Sequence, residues 1–179
     1  MSKELKTSLE WWNEVKNSPD KLVNWLKNQY HGEAVASERI RKYILPKFEG
    51  KYHFMVERIA DDEDRHASWV GELLSKRGVT PEILKKEERY WKTVMTEYFS
   101  EDGNYAAAVA AHAEEMRLER IKVIMDDATA DDDIVQTFKN IYKDELFHAK
   151  GFKLIAGDEY YNKASNTHAK GLEALGLIV

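Results

Sequence analysis

The 179 residues include 33% charged and 43% hydrophobic side chains, with a net charge of −5, nine glycines, three prolines and no cysteine. That length suits one domain able to bury its own core. The missing cysteine excludes disulfides, thiolate zinc sites, iron–sulfur clusters and cysteine nucleophiles, and the acidic balance argues against nucleic-acid binding through bulk charge.

Apolar residues recur with helical period along almost the whole chain. A short helix is expected over about Leu5–Lys16, broken at NSPD, where Ser18 or Asp20 can cap the next helix. A first long helix then runs to about Leu45, before Pro46, with an inner stripe of Leu22, Leu26, Tyr30, Glu33, Ser37, Ile40 and Ile44. A second runs from about Lys47 to Arg77, with Gly78 as the residue after its end. Its stripe holds Val56, Ile59, Glu63, His66, Ala67, Val70 and Leu74.

Thr80-Pro81-Glu82 has the form of a cap followed by proline in the first turn, and predicts a helical segment reaching about Phe99. Ser100–Asn104 is expected to be a loop. The next helix covers about Tyr105–Met125, with Ala107, Ala111, Glu114, Leu118 and Ile121 inward. After an acidic connector, a last long helix covers about Ile134–Ala156, with Phe138, Ile141, Glu145, His148, Phe152 and Ile155 inward. A tail begins at residue 157, aromatic, then polar, then apolar at LEALGLIV, with the option of packing as a short helix. The expected fold is all-α: one domain over 1–179, a four-helix antiparallel bundle, with residues 1–19 as a helical extension. A long helical crossover would join its second and third helices, the ferritin-like topology.

Six ionisable side chains fall on these apolar stripes: Glu33, Glu63, His66, Glu114, Glu145 and His148. Unpaired, they would be expensive to bury. Glu63 with His66, and Glu145 with His148, are Glu-x-x-His pairs, and positions i and i+3 share a helix face. With one glutamate from each of the other two helices, this is the ligand pattern of two-metal carboxylate bundles. One of those single glutamates is expected to bridge the two metals. Glu115 is the rival to Glu114, but it lies on a polar stripe. Asp62 and Asp144 each precede a motif glutamate and are placed to accept the remaining ring N–H of the histidine in the opposite motif; the alternative for both is a surface carboxylate.

DDEDRH and KDELFH, with Glu33 and Glu114, resemble the ferritin-like di-iron carboxylate superfamily over about two-thirds of the chain. The doubled Asp-Glu-x-x-His is similar to bacterioferritins and multicomponent monooxygenases, and AEEMRLERI is similar in layout to tRNA-modifying di-iron hydroxylases. Rubrerythrins carry a further glutamate three residues after the third-helix ligand, where this chain has Arg117. The absence of cysteine leaves no rubredoxin module in these residues.

The resemblance implies two iron ions, with manganese, a manganese–iron pair or zinc as alternatives. It also implies O₂ or peroxide as oxidant, an external electron donor, and oxidation or hydroxylation of a small organic substrate. Ferroxidase or iron-storage activity, and a bundle that binds metal without turnover, are the competing readings. No apolar run reaches membrane-spanning length, and MSKELKTSLEWW lacks the apolar stretch of a signal peptide. A cytoplasmic protein that forms a homodimer is the expectation.

Overall fold

Side-chain caps start the helices that the sequence marks most clearly. In the computed structural model, which describes residues 6–177, Thr7 and Glu10 form a reciprocal capping box ahead of α1 (Ser8–Lys16). Leu5, the expected start of that helix, lies outside the described residues, as do Ile178 and Val179. Ser18 accepts the Lys21 N–H at the head of α2 (Pro19–Arg39). The chain then widens into a π-helical turn at Ile40–Ile44 and tightens into a 3₁₀ turn at Leu45–Lys47 around Pro46. α3 (Gly50–Lys76) ends ahead of Gly78, whose φ of +72° is left-handed.

The connection after α3 departs from the expected helix. Residues 79–88 form no helix; they run as an extended strap along α2. The Leu84 N–H donates to Nδ1 of the buried His31 at 3.1 Å, and Glu88 pairs with the buried Arg39 at 2.7 Å. A long-range partner thus takes a backbone donor that a helix would have used, and tertiary contacts override the local Thr-Pro-Glu signal. Two short helices complete the connection, α4 (Arg89–Val94) and α5 (Glu97–Glu101). The expected helical crossover is therefore only partly helical. Nor is Ser100–Asn104 a loop: Asp102 alone separates α5 from α6 (Gly103–Met125), and it caps α6 by accepting from the Asn104 and Tyr105 N–H groups.

The last helix, α7 (Asp132–Leu175), runs well past Ala156. Gly157, at φ +73° and ψ +162°, kinks it into a longer arm and a second arm over 158–175. The expected tail is thus largely helix. Its Tyr161 stacks on His112 and its His168 bonds Tyr90 Oη at 2.7 Å. Gly171 faces Tyr90 closely; a Cβ there would lie 2.6 Å from the ring and 2.9 Å from Val94 Cγ1. Gly171→Ala is expected to cost about 1–3 kcal/mol by overpacking, lowering the melting temperature by roughly 2–12 °C. An unchanged melting curve would show that Tyr90 can move aside.

Among the described residues there is no strand, only an isolated bridge between Lys6 and Leu177. α2 packs on α3, α6 on α7, and α3 on α7. The core divides into two apolar clusters. One holds Ile40, Ile44, Val56, Ile59, Phe152 and the alanine-rich start of α6. The other holds Trp25, Leu26, Val70, Leu74, Ile121, Ile124 and Phe138. The α3, α6 and α7 helices, and α2 with the π-helical turn that extends it, each contribute to both clusters, with their Glu or Glu-x-x-His between the two contributions. The polar layer is therefore mid-helix and sandwiched between apolar ends.

Asp127 ties α1 to the end of α6, accepting from Lys16 Nζ at 2.7 Å and Trp12 Nε1 at 2.8 Å. The Lys16 bond, with help from Thr129 and Trp12, holds its carboxyl well below the usual range against the opposing effect of burial. A depressed carboxylate stabilises the fold above its unfolded pKa of about 3.9, and that contribution fades as pH falls through the lower folded value. Asp127→Asn should therefore lower the urea midpoint at pH 7, with the gap from the parent protein closing toward pH 2. A gap that persists in acid would assign the effect to packing instead.

Candidate metal centre

Helical spacing delivers the site. On α3, Glu63 and His66 sit one turn apart, as do Glu145 and His148 on α7, and Glu33 of α2 and Glu114 of α6 meet them from the other two helices. Potential ligand atoms of Glu33, Glu63, His66 and Glu145 lie within 4.8 Å of one another, and so do those of Glu63, Glu114, Glu145 and His148. The two groups overlap in Glu63 and Glu145, the carboxylates of the paired motifs. The glutamate from α2 and that from α6 belong to one group each. Five of the six residues are buried, and Glu114 is partly buried. Glu115 points elsewhere, toward Tyr161 Oη and Lys153.

The histidines are oriented from behind. His66 Nε2 lies 3.1 Å from Asp144 Oδ2, and His148 Nε2 lies 3.2 Å from Asp62 Oδ2, so each motif's aspartate reaches the other motif's ring. Arg65 contacts both aspartates, at 2.7 Å from Asp62 and 2.8 Å from Asp144. Asp61 and Asp64 are exposed and pair with Arg41. His66 Nδ1, on the other side of the ring, lies 3.8–3.9 Å from Glu33, Glu63 and Glu145 oxygens. His148 Nδ1 lies 3.1 Å from both Glu63 and Glu145.

Arg117 is the contact that sequence spacing offered and the ligand pattern did not use. It stands three residues after Glu114, on the same face, where its Nε lies 2.6 Å from Glu145 Oε1 and its other nitrogen touches Glu33 Oε1. Its N–H groups do not point along those contacts, so the interaction is of charges and not of aligned hydrogen bonds. Burial pushes Glu63 and Glu114 up, and the neighbouring Glu145 adds to it. For Glu145, burial acts in the same upward sense, but Arg117 and His148 outweigh it and hold the carboxyl low. Burial works against protonated His148, yet Asp62, Glu145 and Glu63 together push it up to about 12.

Four buried atoms of this cluster lack any hydrogen-bond partner among the described residues: both carboxylate oxygens of Glu33, Glu145 Oε1 and His66 Nδ1. All are electron-pair donors, and three of the four belong to carboxylates. A donor set of this kind fits divalent cations of the iron, manganese or zinc type. Beside it lies a cavity of about 250 Å³, bordered by Glu33, Glu63, Glu114 and Arg117 and walled by Ile40, Ile44 and Phe152.

No curated protein and no solved structure matches the chain. The rubrerythrin family model does, over residues 30–156, a stretch that contains all six clustered side chains. That match spans well over half of the 179 residues, and the chain belongs to the rubrerythrin family, a ferritin-like di-iron carboxylate family.

Proposed function

We propose that Glu33, Glu63, His66, Glu114, Glu145 and His148 hold two metal ions, iron in the first instance, and that the protein is an oxidoreductase using O₂ or peroxide on a small organic substrate. The observation that carries this is the pair of overlapping groups sharing Glu63 and Glu145. The helices fit the same reading. α2 and α7 cross from the Trp25–Phe138 cluster to the Ile44–Phe152 cluster, while α3 and α6 cross the other way. That alternation supports an antiparallel four-helix bundle within one domain, in which the second and third helices would run parallel and need the long connection over residues 77–102.

When bound, the metals supply electrons to the oxidant, chemistry that no side chain here provides alone. The chain's own residues do the rest. Asp144 and Asp62 orient His66 and His148 by accepting Nε2–H, so Nδ1 of each ring would be the ligand atom, on His148 after loss of the proton that Glu63 and Glu145 hold there. Arg65 holds both aspartates in place. Ile59, Phe138 and Phe152, all fully buried, give the surroundings of the centre apolar walls. The cavity beside the carboxylates favours an organic substrate over iron storage.

Asp62→Ala and Asp144→Ala should each weaken metal affinity about 10–100-fold, read by competition with a chelator. The function itself is tested by metal analysis of protein purified under iron supply, with size-exclusion chromatography to detect dimers. Anaerobic ferrous-loaded protein is then mixed with O₂ in an oxygen electrode. Uptake at two irons per chain supports the reading. Oxidation no faster than that of free ferrous iron defeats it, and continued uptake of hundreds of irons per assembly indicates storage.

A further inference from the structure

The protein is acidic overall, with a net charge of −5, yet the way into the centre is basic. Trp11, Trp25, Lys86, Arg89 and Arg120 line both the cavity and an outer groove of about 660 Å³, so the two adjoin, and a passage to the centre would run from the groove past these side chains. The groove adds Lys6 and Lys21. Most acids along this path are already committed. Glu33, Glu63 and Glu114 belong to the centre. Glu88 pairs with Arg39 at 2.7 Å, Glu14 with Lys6 at 2.6 Å, and Glu87 with Lys92.

Arg120 is left over. Among the described residues no carboxylate pairs with it, and its Nε is buried without an acceptor. Its guanidinium sits 4.9 Å from the centre of the Trp11 ring, and burial, reinforced by Arg117, pushes it down to about 10. Arg120 is partly buried, so its Nε is withdrawn from water without an anion while its terminal nitrogens are not among the buried orphans. A fork of N–H donors at the mouth of an apolar-walled cavity matches a carboxylate better than any neutral group. Inorganic phosphate would satisfy the fork but leave the walls formed by Ile40, Ile44 and Phe152 facing water.

We propose that this passage binds an organic carboxylate, its charged end on Arg120 and its apolar body passing Glu33 and Glu114 toward Ile40 and Ile44. Lys86 and Arg89 at the opening draw the anion in. Calling this carboxylate the substrate rests on the two-metal reading above; its binding does not.

The test uses octanoate, with octanamide as the neutral isostere, and isothermal titration calorimetry on the full chain. Metal-free protein comes first, because a carboxylate can also ligate a metal; zinc-loaded protein, which cannot turn over, comes second. Octanoate should bind at least about tenfold tighter than octanamide. Arg120→Gln should abolish that preference without changing octanamide affinity, and Arg120→Lys should keep part of it. Equal affinities for the two ligands in the parent protein, or a preference that survives Arg120→Gln, would overturn the proposal. Because the first comparison needs no variant, a variant that failed to fold would leave it decisive. The two readings also fail separately. Protein that prefers octanoate but never holds two zinc ions keeps this inference and loses the centre. Protein that holds two zinc ions and ignores ligand charge does the reverse.

Discussion

Glu145→Ala is expected to empty both metal positions, whereas His66→Ala and His148→Ala should each empty one. The difference lies in membership. Glu145 belongs to both clustered groups, while each histidine belongs to a single group. Removing Glu145 also takes a partner from Arg117 and from His148, leaving their charge less compensated within the same layer. Metal stoichiometry by mass spectrometry, on protein loaded anaerobically with ferrous ion or with zinc, separates the cases. Two metals per chain in Glu145→Ala would sink the assignment of a shared carboxylate, and two in both histidine variants would sink the six-residue set. Glu115→Ala serves as the control, because that side chain faces Tyr161 and should leave loading intact.

Loading metal should raise the melting temperature substantially. The unfolded chain has no preformed cluster, so binding energy at the site is stabilisation of the fold. With free metal at a hundred times the dissociation constant, each position contributes about 2.7 kcal/mol. For a domain of this size that is roughly 5–11 °C per position. The shift should shrink by about half in His66→Ala and vanish in Glu145→Ala. Chelator-treated protein should remain folded, since the two apolar clusters on either side of the polar layer do not depend on the ion. A melting temperature that does not respond to any divalent metal would argue that the polar layer is satisfied by Arg117 and internal protons alone.

The six clustered residues were legible because helical period is a local property. Once Val56, Ile59, Val70 and Leu74 define an inner stripe, Glu63 and His66 are on it whatever the tertiary arrangement. The same holds for Glu145 and His148. The strap was not legible, because its conformation depends on His31 receiving the Leu84 N–H from 53 residues away, and nothing near Thr80 encodes that. The arm over 158–175 was legible only as a short helix, because its buried side consists of small residues such as Ala164 and Gly171 packed on bulky ones elsewhere, which leaves little apolar period to read. Arg117 and Arg120 could have been found: both come after Glu114 at helical intervals, and a run of charges on an inward face signals a polar passage as well as a ligand.

The exchange of partners between α3 and α7 has the form of a two-fold relation. Asp62 serves His148 and Asp144 serves His66, as in an isologous contact between two copies of one surface. A slip of either helix therefore breaks both pairs at once, and register errors are penalised twice. The decoration does not share the symmetry. Arg65 bridges both aspartates, but its counterpart Phe147 carries no charge and lies under Arg58. Arg117 likewise touches Glu33 and Glu145 and has no mirror-related cation on Glu114 among the described residues. In the proposed centre, an ion in the half that contains Glu33 would meet that guanidinium, whereas one in the half that contains Glu114 would meet the proton that Asp62, Glu145 and Glu63 hold on His148. In the proposed two-metal reading the halves are thus equivalent in frame and unequal in potential, and a metal titration is expected to resolve two steps of different affinity; a single step would show that the asymmetry is not felt by the ions.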